Sequence, residues 1–169
     1  MKTVCVDNHI LLWGIREEAG KEQEDMIPRA KAFFDDCQRS KIQIMVPSIV
    51  VGELLTAIEP KNHAMVLNLL KSSFLIPSYD AAASTVFAKL WRDNKSSGLT
   101  KELQNNHSAT RQELKADCMI VAIAIVRKCN AIYSHDEKLK KFANGKIEVL
   151  EIPKIAYQEE LEFVDSTGN

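Results

Sequence analysis

The stretch CVDNHILLW, residues 5–13, sets an aspartate, an asparagine and a histidine inside chain that otherwise reads as buried and hydrophobic. Val4 and Val6 alternate toward Asp7 as in a β-strand, and the apolar ILLW run resumes directly after His9. A carboxylate at the end of a buried strand is costly unless something compensates it. Open α/β sheets place their ligands at the carboxyl ends of their strands, which is where this reading puts Asp7.

The rest of the chain repeats the rhythm that the opening stretch starts. Short β-rich runs occur at TVCVD, IQIMV, SFLIP, NAIYS and IEVLEI, separated by segments of helical periodicity. Ala30, Phe33, Phe34 and Cys37 fall at i, i+3, i+4 and i+7, as do His63, Val66, Leu67 and Leu70, and again Ala83, Val86, Phe87 and Leu90. Pro28 suits a first helical turn, Ser48 caps a helix running to about Ile58, and Ser78 or Asp80 caps a later one. The segment from about Ala109 to Cys129 is apolar on nearly every side in its second half, as in a helix buried all round.

Strands alternating with helices predict an α/β fold, a three-layer α/β/α sandwich around a mostly parallel sheet of about five strands. One domain spans residues 1–152, with the polar stretch 93–110 as a loop or flap over the apolar helix. Residues 153–169 are expected to form a further helix, KIAYQEELEF, and a disordered tail.

Composition narrows the class. The chain has 169 residues, 46% of them hydrophobic and 27% charged, enough for a single core. Its longest apolar run, CMIVAIAIV, is well short of the roughly 20 residues that span a bilayer, and no signal peptide is evident, so a soluble cytosolic protein is expected. Cys5, Cys37, Cys118 and Cys129 form no C-x-x-C pair and are read as core thiols. Cys118 and Cys129 on one helix would stand about 16 Å apart, too far for a disulfide. A net charge of -1 gives no global basic signal, so any nucleic-acid contact must rest on a local patch.

Among 23 acidic residues, four sit in apolar surroundings. Asp7 ends the first strand, Glu53 interrupts IVVGELL, Asp117 opens the apolar helix in KADCMIVAIAIV, and Asp136 follows the strand AIYS. Taken singly, each reads as a helix cap or a satisfied core acid. Taken together, parallel topology lets all four converge, and converging carboxylates repel unless a hard divalent cation such as Mg²⁺ or Mn²⁺ relieves them. Such an ion activates water for attack on phosphorus, so the pattern implies phosphodiester hydrolysis. The six glycines form neither G-x-G-x-x-G nor a P-loop, and H-E-x-x-H and G-x-S-x-G are absent.

With these residues in place, the chain from about Lys2 to Ile152 resembles the PIN domain, and within it the VapC-like toxin ribonucleases of bacterial toxin–antitoxin pairs. DNHILLW resembles the family's opening block in its D-T-H branch, PSIVVGELL its second, DCMIVA its D-x-x-I-x-A block, and YSHD its T-x-D block. The resemblance implies that Asp7, Glu53, Asp117 and Asp136 hold one or two Mg²⁺ or Mn²⁺ ions and cleave RNA, with Ser134 orienting Asp136 or a metal-bound water. It further implies a cognate antitoxin and a homodimer. Asn8 stands where the family has threonine, the 93–110 stretch is longer than in compact members, and the terminal helix exceeds the minimal fold.

Asn8 and His9 are read as supports for the carboxylates rather than ligands, because hard cations take oxygen donors. His135 is placed on the surface, and His63 and His107 in structural or solvated positions. Arg111, Lys115, Arg127, Lys128, Lys138, Lys140 and Lys141 gather in sequence around the third and fourth acids, and of these Lys115, Lys138 and Arg111 are read as contacts to an RNA backbone. Trp13 and Trp91 are read as core. Two other readings stay open: a non-catalytic module of the same fold that binds RNA or a protein partner, and a phosphatase-like domain, which would want a second acid where His9 stands.

Overall fold

The computed structural model describes residues 2–155. Four parallel strands form one sheet in the order β2-β1-β3-β4: β1 is Thr3–Val6, β2 Gln43–Met45, β3 Ala131–Tyr133 and β4 Val149–Leu150. The chain moves from β1 to β2 in one direction and from β2 to β3 and β4 in the other. Right-handed crossovers then put the first connecting helix on one face of the sheet and the later ones on the opposite face. The reversal lies between β1 and β3, the place where such sheets open a crevice.

The expected fifth strand is reduced to a single bridge. Leu75 of SFLIP exchanges backbone hydrogen bonds with Ile44 and Val46 at the β2 edge, and Pro77, which has no N–H to donate, follows two residues later. The remaining expectation, a parallel sheet covered by helices, holds.

The first crossover contains α1 (Asn8–Leu11), a π-helical turn (Leu12–Arg16) and α2 (Met26–Arg39). Ile10, Leu11 and Trp13 are buried there, and Phe33 of α2 packs on Tyr133 of β3 with ring centroids 4.5 Å apart. The second runs through α3 (Ser48–Thr56), a 3₁₀ turn (Pro60–Asn62), α4 (His63–Ser73), α5 (Ala81–Ser96), α6 (Leu99–His107) and α7 (Arg111–Val126). The last is α8 (Glu137–Ala143). Asp80 caps α5 through Ala83 N–H at 2.9 Å, as its position implied, whereas Ser48 begins α3 without a side-chain cap bond. His63 is structural: its Nε2 lies 3.1 and 2.9 Å from the Leu55 and Ile58 carbonyl oxygens at the end of α3.

The 93–110 stretch is a correction to the sequence reading, being helical rather than a loop or flap. α5 continues to Ser96, Gly98 turns the chain with φ +82°, and α6 follows. Few anchors suffice. Leu103 is fully buried, and buried Asn94 donates to the Phe142 carbonyl at 2.9 Å and accepts from Asn144 at 3.3 Å, tying α5 to the end of α8. A polar composition therefore concealed a helix whose one buried amide is satisfied.

All four cysteines are free, and Cys5, Cys37 and Cys118 are buried, in keeping with core thiols. No helix among the described residues is long and apolar enough to cross a membrane. The helix expected from Pro153 onward lies almost wholly outside the described residues; residues 153–155 carry no regular structure.

Two glycines give opposite expectations. A Cβ on Gly14 would lie 2.3 Å from the Phe34 ring, which is itself packed against Phe33 and Phe74, while one on Gly52 would meet nothing within 4 Å. Gly14→Ala should destabilise by about 1–3 kcal/mol through overpacking. Gly52→Ala, inside α3, should stabilise by roughly 0.5–1 kcal/mol through helix propensity. Denaturant melts of the two variants check both signs.

Candidate functional site

The parallel register of β1 with β3 builds the first half of the site. Val6 pairs with Tyr133, so the next residues, Asp7 and Ser134, emerge side by side at the sheet edge, with Asp7 N–H donating to the Tyr133 carbonyl at 3.3 Å. Asp7 is almost wholly buried. Its Oδ1 accepts from Ile10 N–H at 3.2 Å and caps α1, while its Oδ2 accepts from the Ser134 hydroxyl. Ser134 Oγ in turn accepts from Asp136 N–H at 3.0 Å. One buried hydroxyl thus connects the first acid to the backbone of the fourth.

Asp136 is the N-cap of α8, its Oδ1 accepting from Lys138 N–H at 2.8 Å. Cap and site are not alternatives for Asp7 or Asp136: each uses one oxygen on its helix and leaves the other turned elsewhere. Asp117 differs from expectation, lying two turns inside α7 instead of at its start. The helix begins earlier because Thr110 and Glu113 form a reciprocal capping box, with Thr110 N–H donating to Glu113 Oε2 at 2.7 Å and Glu113 N–H to Thr110 Oγ1 at 3.2 Å.

One cavity of about 210 Å³ gathers these groups. Asp7, Glu53, Asp117 and Asp136 all line it, together with Asn8, His9 and Lys138. From α7 the lining residues are Glu113, Ala116, Asp117 and Ile120, one helical face. Glu113 is the acid that the sequence reading missed; its signal was the T-x-x-E capping box one turn before Asp117. No residue of the 93–110 stretch lines the cavity.

The electrostatics follow from burial and like charge. Burial first, and then the carboxylates of Asp136, Glu53 and Asp7, push the Asp117 carboxyl up to about 7, with Lys138 acting in the opposite sense. Asp117 Oδ2 is buried and has no hydrogen-bond partner. Glu53 is raised as well, by burial and then by Asp7. His9, in α1, has Nδ1 3.8 Å from Asp7 Oδ2 and its ring 5.8 Å from that of Trp13. The interaction with Asp7 outweighs desolvation and raises its pKa. Asn8 Oδ1 is a further buried acceptor without a partner.

The other basic residues separate. Lys138 lies in the cavity, its Nζ 3.7 Å from Asp136 Oδ2. Lys115 instead sits 6.0 Å over the Trp91 ring, which stacks on Phe87, and Arg111 is exposed on the first turn of α7. His135 is a correction, because it is not a surface residue. Its Nε2 accepts from Ile152 N–H at 3.3 Å and its ring meets Trp13 edge-on at 5.3 Å. Strand alternation assigned it outward, but β3 has already ended at Tyr133.

The carboxylates of the cavity suit a hard divalent cation, and one of them, Asp117, has an orphaned oxygen and a pKa raised to about 7. Among the described residues no group of three or more His, Cys, Asp or Glu side chains is already drawn into a metal-holding arrangement.

The pH dependence of stability follows with its sign. Asp117 has a folded pKa above its unfolded one, so the folded state holds the extra proton and loses stability as pH rises toward and through about 7. His9, also raised, contributes stability at low pH that is lost as pH rises through its folded pKa. In chelator the protein should therefore melt higher at pH 6 than at pH 8. Asp117→Asn should raise the pH 8 melting point and flatten the difference, read by a thermal scan at both pH values.

A family model described as PIN domain matches residues 4–145. No curated protein matches the chain by sequence. Among solved structures, a chain of VapBC2 from Rickettsia felis bound to a promoter DNA fragment is similar at TM-score 0.58 and 14% identity, covering 88% of this chain and 98% of that one. A chain of DNA-bound VapBC from Salmonella typhimurium is similar at TM-score 0.57 and 14% identity, covering 90% of this chain and 100% of that one. At such identity these likenesses show a shared fold. With the family match spanning both halves of the sheet and all four acids, the chain belongs to the PIN domain family.

Proposed function

We propose that this protein is a divalent-metal-dependent ribonuclease, the toxin of a toxin–antitoxin pair, in which Asp7, Glu53, Asp117 and Asp136 hold Mg²⁺ or Mn²⁺. The observation that carries the reading is Asp117: a buried carboxylate with an orphaned oxygen, raised to about 7 in a cavity that three other acids line. A buried carboxylate without a partner costs stability unless a cation or donors offset it, and such perturbed acids cluster at functional sites. Membership of the PIN family and the likeness to VapBC chains support reading the polymer as RNA and the partner as an antitoxin.

When bound, the ion supplies a polarised water and charge stabilisation at a phosphodiester. The chain's own residues prepare that place. Asp7 is fixed by its cap bond and by Ser134, so it presents Oδ2 without rotamer freedom. Ser134 also fixes the backbone of Asp136, which makes it a support for two acids at once. His9 stands beside Asp7, and Asn8, whose Oδ1 is buried without a partner, lines the same cavity. Lys138 at the cavity, with Lys115 and Arg111 farther along α7, is proposed to follow the RNA phosphates. A homodimer and an antitoxin that covers the cavity complete the proposal.

Purified protein should cut RNA with Mn²⁺ or Mg²⁺ and lose that activity in chelator and in Asp117→Asn. Ser134→Ala should lower activity by about 10–100-fold, since it loosens two acids without removing either. Mn²⁺ should also raise the melting temperature by mass action. Cleavage that is indifferent to chelator would contradict the metal, and a protein that neither cleaves nor shifts would instead be a binding module.

A further inference from the structure

Lys138 holds Asp136 by both carboxylate oxygens. Its backbone N–H donates to Oδ1 at 2.8 Å, and its Nζ stands 3.7 Å from Oδ2. The two side chains are only 24% and 23% exposed, so this is not one of the solvent-screened surface pairs that contribute next to nothing. Five carboxylates line the cavity, those of Asp7, Glu53, Glu113, Asp117 and Asp136, and Lys138 is the one lysine or arginine among the lining residues.

We propose that Lys138 is the resident counter-cation of the carboxylate cavity, a positioning residue that orders Asp136 in the ion-free protein and gives up its place when the divalent ion enters. The inference rests on the metal-dependent reading above. It explains how four or more acids can be folded together before any ion arrives: a flexible four-carbon stem brings an ammonium to them without a backbone cost. It also assigns the two Asp136 oxygens separate duties. The Oδ1 bond is part of the α8 cap and stays, whereas the ion pair at Oδ2 is long, involves a mobile stem, and is the contact that a cation of higher charge replaces.

Lys138 lines the same cavity as Glu113 and Asp117 of α7. His9, the other basic group at the cavity, faces Asp7 on the β1 side, leaving the α7–α8 side to Lys138. Loading the site is therefore an exchange of cations, ammonium out and divalent ion in. The released ammonium remains tethered at the cavity, where an incoming phosphate would meet it.

Lys138→Met keeps the stem and removes the charge, and Lys138→Arg keeps the charge. Mn²⁺ titration calorimetry on the full chain, paired with thermal melts in chelator, reads both halves of the proposal. Lys138→Met should bind Mn²⁺ about tenfold more tightly than wild type and melt lower in chelator, with Lys138→Arg close to wild type in both. Wild-type Mn²⁺ binding that Lys138→Met leaves unchanged or weakens would overturn the exchange while leaving the metal reading intact. If no Mn²⁺ binds to either protein, the metal reading itself fails, and the exchange with it.

Discussion

The parallel pairing of Val6 with Tyr133 is the contact on which the candidate site depends. One residue beyond that pair, Asp7 and Ser134 emerge together, and the Ser134 hydroxyl bonds to the Asp7 carboxylate and to the Asp136 backbone. A slip of one residue between β1 and β3 would turn Asp7 away from that partner, because side-chain direction alternates along a strand. Everything on the β1–β3 side of the cavity follows from this register. The opposite side is supplied by α7, whose buried flank of Cys118, Val121, Ala122 and Ala124 fixes how far Asp117 projects.

This arrangement works against stability and is tolerated because the core is large enough. Burial, and then the neighbouring carboxylates, disfavour ionisation in this cavity, and Asp117 shows both most strongly. The fold limits the cost by giving each acid a structural bond where it has one to spare. Asp7 and Asp136 cap helices, and Glu113 completes a capping box, so each retains a hydrogen bond that does not depend on any ion. Asp117 and Glu53 are the exceptions, being interior to their helices with nothing to cap. Those two are the acids whose pKa is raised.

Much of this was legible in the sequence, for reasons that particular residues show. Asp7 and Asp136 follow β-rich runs directly, so their place at the sheet edge could be read from strand length alone. The position of Asp117 within α7 could not, because the helix start depends on the Thr110–Glu113 capping box, a signal diluted by polar neighbours. The 93–110 stretch hid a helix for the same reason, its buried anchors being few: Asn94, Thr100, Leu103 and Ala109. His135 was misplaced by extending strand alternation past the point where β3 stops. The paired hold of Lys138 on Asp136 was beyond reach, since sequence spacing puts the lysine nearby but does not say which way its stem runs.

Whether the four acids form one cation site is read by anomalous diffraction from Mn²⁺-soaked crystals. A shared site gives a manganese peak inside the cavity with oxygen ligands drawn from Asp7, Glu53, Asp117 and Asp136, and with Lys138 Nζ moved off Asp136 Oδ2. A cavity without a peak, in crystals where manganese is bound elsewhere, would contradict it. So would an ion held there with Asp117 Oδ2 left unpartnered.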